Sequence, residues 1–211
     1  MKSITNTIIF LILLSSTQLN AQINAITDTG DQVILNSDGT WKYIDQSVIE
    51  NDAITENKTI FKKGKKASFL VKSKRTNVGV WINPKKWSFT KGKENEDSEF
   101  EFQLKGEDLY GMMIAEKMEI PLESLKEIVL DNAKEAAPDI KIVKEEYRTV
   151  NGIRVLMMQM NGTIQGIKFV YYGYYYSNSS GTVQLTTYTG QNLLNDYIED
   201  IEFFLNGIVV P

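Results

Sequence analysis

The chain of 211 residues contains no cysteine and no histidine, and these two absences narrow its chemistry more than anything it does contain. Without a thiol or an imidazole there is no cysteine nucleophile, no Ser-His-Asp triad and no zinc site of the usual nitrogen and sulfur ligands. Without cysteine there is also no disulfide, so stability rests on burial and hydrogen bonding, and no lipid can be attached through a cysteine. A metal would have to be a hard ion held by oxygen, such as calcium. Glu94, Glu96, Asp97, Glu99 and Glu101 could supply oxygens, but their spacing fits no EF-hand loop and lacks its central glycine. That cluster reads as a solvated loop entering a strand, and no metal or cofactor is expected. There is no glycine-rich phosphate loop, and no two carboxylates sit in a motif that assigns acid and base, so a carboxylate-based hydrolase is only an outside reading.

Long hydrophobic runs are scarce too. The apolar stretch Ile8–Leu14 is far below the roughly 20 residues that span a bilayer. With Lys2 before it and Leu19-Asn20-Ala21 after it, it has the form of a secretory signal peptide, with cleavage expected after Ala21. The mature chain would start at Gln22, periplasmic or secreted, with no transmembrane segment after cleavage.

What is present is strand-like sequence. From Tyr147 to Gly190 three strand segments follow one another, separated by compact turn signals. Asn151-Gly152 is the dipeptide best suited to a type I′ hairpin, and Asn178–Gly181 suits a slightly longer loop. Alternation within Phe169–Tyr176 puts Phe169, Tyr171 and Tyr175 on one face and Val170, Tyr172, Tyr174 and Tyr176 on the other. Both faces of this central strand are therefore expected to be covered.

Before this meander, Ile23–Ile44 alternates short strand-like runs with Asp/Gly turns, two or three strands in all. Val33, Ile34, Leu35, Asp38, Gly39, Thr40, Trp41 and Tyr43 resemble the "V-I-L-x-x-D-G-T-W-x-Y" hairpin found at the N-terminus of many exported proteins of Bacteroidetes-type bacteria. Residues 46–58 show neither a 2.0 nor a 3.6 period and read as a linker, so the divisions expected are a leader over 1–21, a small β-hairpin element over 22–45, the linker, and a main domain over 59–211.

In the main domain, strands are expected at 67–71, 78–82, 98–104, 108–118, 141–150, 153–160, 166–177 and 182–189. A helix starts at Pro121 and carries Leu122, Leu125, Ile128, Val129, Asn132, Ala133 and Ala136 in one stripe until Pro138 ends it. A second helix covers about 191–206, with Leu194, Tyr197, Ile198, Ile201, Phe204 and Leu205 inward and Gly207 at a left-handed C-cap. The order predicts an α+β fold, an antiparallel sheet with flanking helices. Val80-Trp81-Ile82-Asn83-Pro84 with Trp87, the Leu109–Met113 strand, Thr149–Gly152 and Gly166–Tyr176 resemble the PsbP/DcrB-like fold over about 67–208. That resemblance implies a small, often exported protein and no catalytic signature.

Charge is distributed unevenly. Lys58–Lys93 holds twelve basic residues and no acid, whereas Glu94–Tyr147 holds sixteen acids and six lysines. Either the two blocks adjoin and neutralise each other, or the first is a positive surface for a polyanion. The candidate binding residues are Lys62, Lys63, Lys65, Lys66, Lys85 and Lys86, with Tyr172, Tyr174 and Tyr176 as an aromatic platform. Nucleic acid is not expected as a partner of an exported, acidic protein (sequence pI about 5.1). The functional expectation is a non-enzymatic interaction or accessory module of the cell envelope, or a binding protein for an anionic glycan or lipid.

Overall fold

A computed structural model describes residues 23–26, 32–36, 39–43, 54–93 and 97–211. The expected leader over 1–21 and most of the expected linker lie outside the described residues. The chain divides into two units, Met1–Ala53 and Ile54–Pro211. In the first, β1 (Ile23–Ile26), β2 (Gln32–Leu35) and β3 (Trp41–Tyr43) form an antiparallel sheet in that order. Gly39 takes a positive φ of 80° in the turn before β3.

The second unit opens with β4 (Glu56–Phe61), β5 (Phe69–Lys72), β6 (Gly79–Ile82), β7 (Trp87–Lys91), β8 (Ser98–Leu104) and β9 (Tyr110–Glu116). Helix α1 (Leu122–Ala136) follows, then β10 (Lys141–Val150), β11 (Ile153–Ile164), β12 (Ile167–Asn178) and β13 (Gly181–Gly190). A 3₁₀ turn leads into α2 (Leu194–Leu205), and β14 (Ile208–Val209) closes the chain. An eight-stranded sheet runs β4-β10-β11-β12-β13-β9-β8-β7, and β14-β6-β5 form a second sheet of three strands. Every pairing is antiparallel except β4 with β10.

The meander follows from its turns. Asn151 and Gly152 have φ of 49° and 86° and join Val150 to its partner Ile153, as a type I′ turn requires. A second such pair, Gln165 and Gly166 at 51° and 83°, joins β11 to β12. The Asn161-Gly162 dipeptide, where the sequence reading stopped the strand, stays inside β11. Gly162 is there for space: a Cβ on it would lie 3.0 Å from the side chain of Ile140.

The alternation along β12 sets the two cores. Tyr172 and Tyr174 join Val155, Met157, Trp87 and the α2 residues Ile201, Phe204 and Leu205. Tyr175 joins Leu156, Met158, Met160 and the α1 residues Leu125 and Val129.

Three expectations need correction. Residues 56–58 are not linker: β4 begins at Glu56 and pairs parallel to β10 at the sheet edge. Its exposure pattern shows no alternation, because an edge strand with one side to solvent has no apolar period to read. The α1 stripe is narrower than expected, since only Leu125 and Val129 are buried and Ile128 is 42% exposed. Gly207 is no left-handed cap: among the described residues the glycines of positive φ are Gly39, Gly106, Gly152, Gly166 and Gly181. Glycine is needed because a Cβ would lie 2.1 Å from the Trp81 carbonyl oxygen, to which the backbone is tied by Trp81 N–H donating to Gly207 O at 2.8 Å.

A chain beginning at Ile54 should therefore unfold in one cooperative thermal transition. Starting after Phe61 should lower the midpoint by about 5 °C or more, because β4 hydrogen bonds and the Phe61 ring over Arg148, at 4.6 Å, are lost together. Equal melting of the two chains would show β4 to be dispensable.

Candidate functional site

The six candidate lysines are all exposed, and three of them meet. Lys65 and Lys66 sit in a turn closed by Ala67 N–H on Gly64 O at 3.0 Å. Lys86 sits in the turn Asn83–Lys86, which Asn83 organises by accepting Lys85 N–H on its side chain (3.1 Å) and Lys86 and Trp87 N–H on its backbone carbonyl. These two turns and the outer side of α2 enclose an open groove of 390 Å³ lined by Lys65, Lys66, Lys86, Asn83, Phe203, Glu199 and Asp200. Phe203 gives it an apolar wall. Lys86 Nζ donates to Asp200 at 2.6 Å, a pair with Lys86 55% exposed and so worth little in water.

The other three lysines do not line the groove. Lys63 Nζ lies 5.0 Å over the Trp81 ring and donates to Ala67 O at 3.4 Å. Lys62 and Lys85 stand on the surface.

The acidic run does come alongside the basic one, yet it is held by backbone. Glu99 accepts Lys74 N–H at 2.6 Å and Ser73 Oγ–H at 2.6 Å, and Glu101 accepts Lys93 N–H at 2.9 Å. Among the described residues, the only ion pair of the basic block is Lys86 with Asp200, which belongs to α2.

The aromatic platform is corrected by burial. Tyr172 and Tyr174 are 3% and 0% exposed, so neither can stack on a ligand, and Tyr176 is half-buried against the same core. Their hydroxyls serve Arg148, which is 3% exposed. Its Nε donates to Glu146 at 2.6 Å, Nη1 to Tyr174 OH at 2.9 Å and to Glu202 at 3.0 Å, and Nη2 to Tyr172 OH at 3.2 Å. Tyr172 OH donates to Glu202 (3.0 Å) and Tyr174 OH to Asn206 (2.9 Å), which ties α2 to the sheet. Asn151 extends the set, its amide donating to the carbonyls of Asn206 and Ile208 at 2.8 and 2.7 Å.

Burial alone would lower the Arg148 guanidinium, but Tyr174, Tyr172 and Glu146 outweigh it and hold the group above its ordinary value. Burial pushes Tyr174 up to about 12 against the pull of Arg148, and Tyr172 moves up for the same reason. Burial would raise Glu146, but hydrogen bonds from Arg148 and Asn57 bring it below the usual carboxylate range. The result is one cation satisfied by two carboxylates and two neutral phenols, a structural clamp. Sequence reading missed it because its members are scattered from Glu146 to Asn206. A lone arginine in an alternating strand, at an inward position, was the available signal.

Among the described residues, no group of three or more acidic side chains could hold a metal, and no helix is long and apolar enough to cross a membrane. No family model matches this chain, and no curated protein matches it. Among solved structures, the cyanobacterial PsbP (CyanoP) of Synechocystis sp. PCC 6803 aligns with TM-score 0.52 over 70% of this chain and 95% of its own, at 11% identity. The fold is PsbP-like. A protein of unknown function from Pseudomonas aeruginosa, PA94, aligns with TM-score 0.40 at 12% identity, over 63% of this chain and 89% of its own. At these identities the PsbP likeness extends to the backbone architecture alone.

Proposed function

We propose that the protein is an exported, non-enzymatic interaction module of the cell envelope whose basic groove holds an anionic glycan or lipid headgroup. The observation that carries this is the convergence of Lys65, Lys66 and Lys86 around one groove with a Phe203 wall. Lys65 and Lys66 keep their hydration until an anion arrives, Lys86 can exchange its exposed pair with Asp200 for that anion, and an aromatic wall beside them suits a ligand with an apolar portion. The leader-like residues 1–21 support export. The Arg148 clamp supports a rigid carrier, because its ionisable groups are used to fasten α2 to the sheet.

The test is sedimentation of the full mature chain with vesicles of neutral lipid doped with anionic lipid, and with an acidic polysaccharide in a parallel arm. Each lysine near an anionic surface contributes about 1 kcal/mol, so Lys65→Gln, Lys66→Gln and Lys86→Gln together are expected to weaken binding about a hundredfold while the melting temperature holds. Added salt should weaken wild-type binding, because these charges are exposed and screened over about 8 Å at physiological ionic strength. Binding that survives the triple change, or that ignores salt, sinks the reading.

A further inference from the structure

The other face of the large sheet carries a second concavity, of opposite charge. By register, Tyr171 faces Tyr188 and Tyr188 faces Tyr110, while Gln184 and Thr186 face Ile114 and Met112. These side chains share the side of the sheet on which α1 lies. The helix covers only part of that side, where Leu125 and Val129 pack on Leu156, Met158 and Tyr175. Between its C-terminal half and the β13–β9 strands lies a cleft of 390 Å³, within the range of small-molecule sites.

One glycine beside the cleft sets how closely its strands approach. Gly173 interrupts the tyrosine run on the α1 side, between Tyr171 and Tyr175, which both line the cleft. A Cβ there would lie 2.8 Å from Thr186 Oγ1, so β12 and β13 approach closely with no side chain standing up between the two tyrosines.

The lining selects a chemical class. Met112, Ile114 and Met160 give an apolar floor, and Asn132, Gln184 and Thr186 offer neutral oxygens. Glu116, Glu135 and Asp97 contribute carboxylates, and among the described residues no lysine or arginine lines the cleft. No ion pair engages Glu116 or Glu135 among the described residues. The neighbouring tyrosines are turned to one another: Tyr110 and Tyr188 stack at 5.5 Å and 19°, and Tyr171 meets Tyr188 edge-on at 6.0 Å.

We propose that this cleft binds a small organic cation, a primary ammonium group carried on a short apolar chain. The ammonium has three donors and no acceptor, which matches carboxylates and amide oxygens, and the chain lies on the methionine floor. The carboxylates attract and orient it, with exposed ion pairs adding modestly to what the enclosed floor supplies.

Calorimetric titration of the full mature chain with cadaverine, against pentanediol as the neutral analogue of the same length, decides the matter. Cadaverine is expected to bind saturably with a Kd at or below about 1 mM, and pentanediol at least about tenfold more weakly, the scale of losing two ion pairs. The variant E116Q/E135Q should lose about tenfold for cadaverine and nothing for pentanediol. Ala136→Trp, at an exposed position on the cleft wall, should block both without unfolding the protein. The triple lysine variant of the other groove should bind cadaverine as wild type does, which separates this site from the basic one. Equal affinity for the diol, indifference to E116Q/E135Q, preferential binding of a disaccharide, or no saturable cadaverine binding would each overturn the proposal.

Discussion

Replacing Arg148 by methionine is expected to destabilise the Ile54–Pro211 unit by about 3–5 kcal/mol, the range for removing one partner of a buried ionic network. The loss is large because of what remains. Glu146, 14% exposed, keeps its charge without the cation that satisfied it, Glu202 does so at the solvent edge of the network, and the buried Tyr172 and Tyr174 lose a donor. The guanidinium also lies over Phe61 and Tyr174, at 4.6 and 5.7 Å, so packing goes with the charge. Lysine should not rescue it, since a single ammonium cannot reach four partners in the planar fan that Arg148 uses. Partial recovery is expected when Glu146→Gln and Glu202→Gln are added, because the stranded charges are then gone. Denaturant unfolding of the single and triple variants measures both effects. A loss below about 1 kcal/mol for Arg148→Met, the scale of an exposed pair, would show that water reaches the network.

Trp87→Ala should cost about 3–5 kcal/mol, as large aromatic truncations in cores do. Trp87 is 1% exposed and stacks on Phe204 of α2 with centroids 4.4 Å apart, and Phe204 in turn meets Phe102 edge-on at 5.0 Å. The vacancy therefore opens where the large sheet, the Asn83–Lys86 turn and α2 meet. Trp87→Phe is expected to be much milder, because the indole Nε1–H is buried with no acceptor among the described residues, and removing an unsatisfied donor recovers part of what the smaller ring loses. Equilibrium unfolding of the two variants checks the contrast. Similar losses for Ala and Phe would indicate that indole shape, not aromatic burial, matters at this position.

Much of the fold was legible where local signals agree. The expected limits of β8 and β10 match the structure, and β11–β13 were found, with the two faces of β12, because Asn151-Gly152 fixes a two-residue turn and register follows from the turn. The basic block was legible as twelve cations without an acid, but whether the acidic run neutralises it or leaves it to a polyanion was not, since that depends on which side chains meet in space. Strands β4, β7 and β14 were missed for one reason: each is a short edge strand or lies outside an alternating run, so only its partner reveals it. The candidate groove was legible as lysines but not as a groove, because Phe203, Glu199 and Asp200 come from a helix more than a hundred residues away.

The sequence by itself determined the chemistry excluded, by lacking histidine and cysteine, and it determined the meander, by turn residues and a period of two. Those are local properties, and local physics suffices for them. Only the tertiary structure decided which charges stand in water and which are buried, because that depends on what packs above each strand face. Arg148 and Lys65 are both basic residues in sequence. α2 closes over the first and leaves the second beside an open groove, while α1 stops short of β9 and leaves a cleft where alternation alone would have drawn another covered strand.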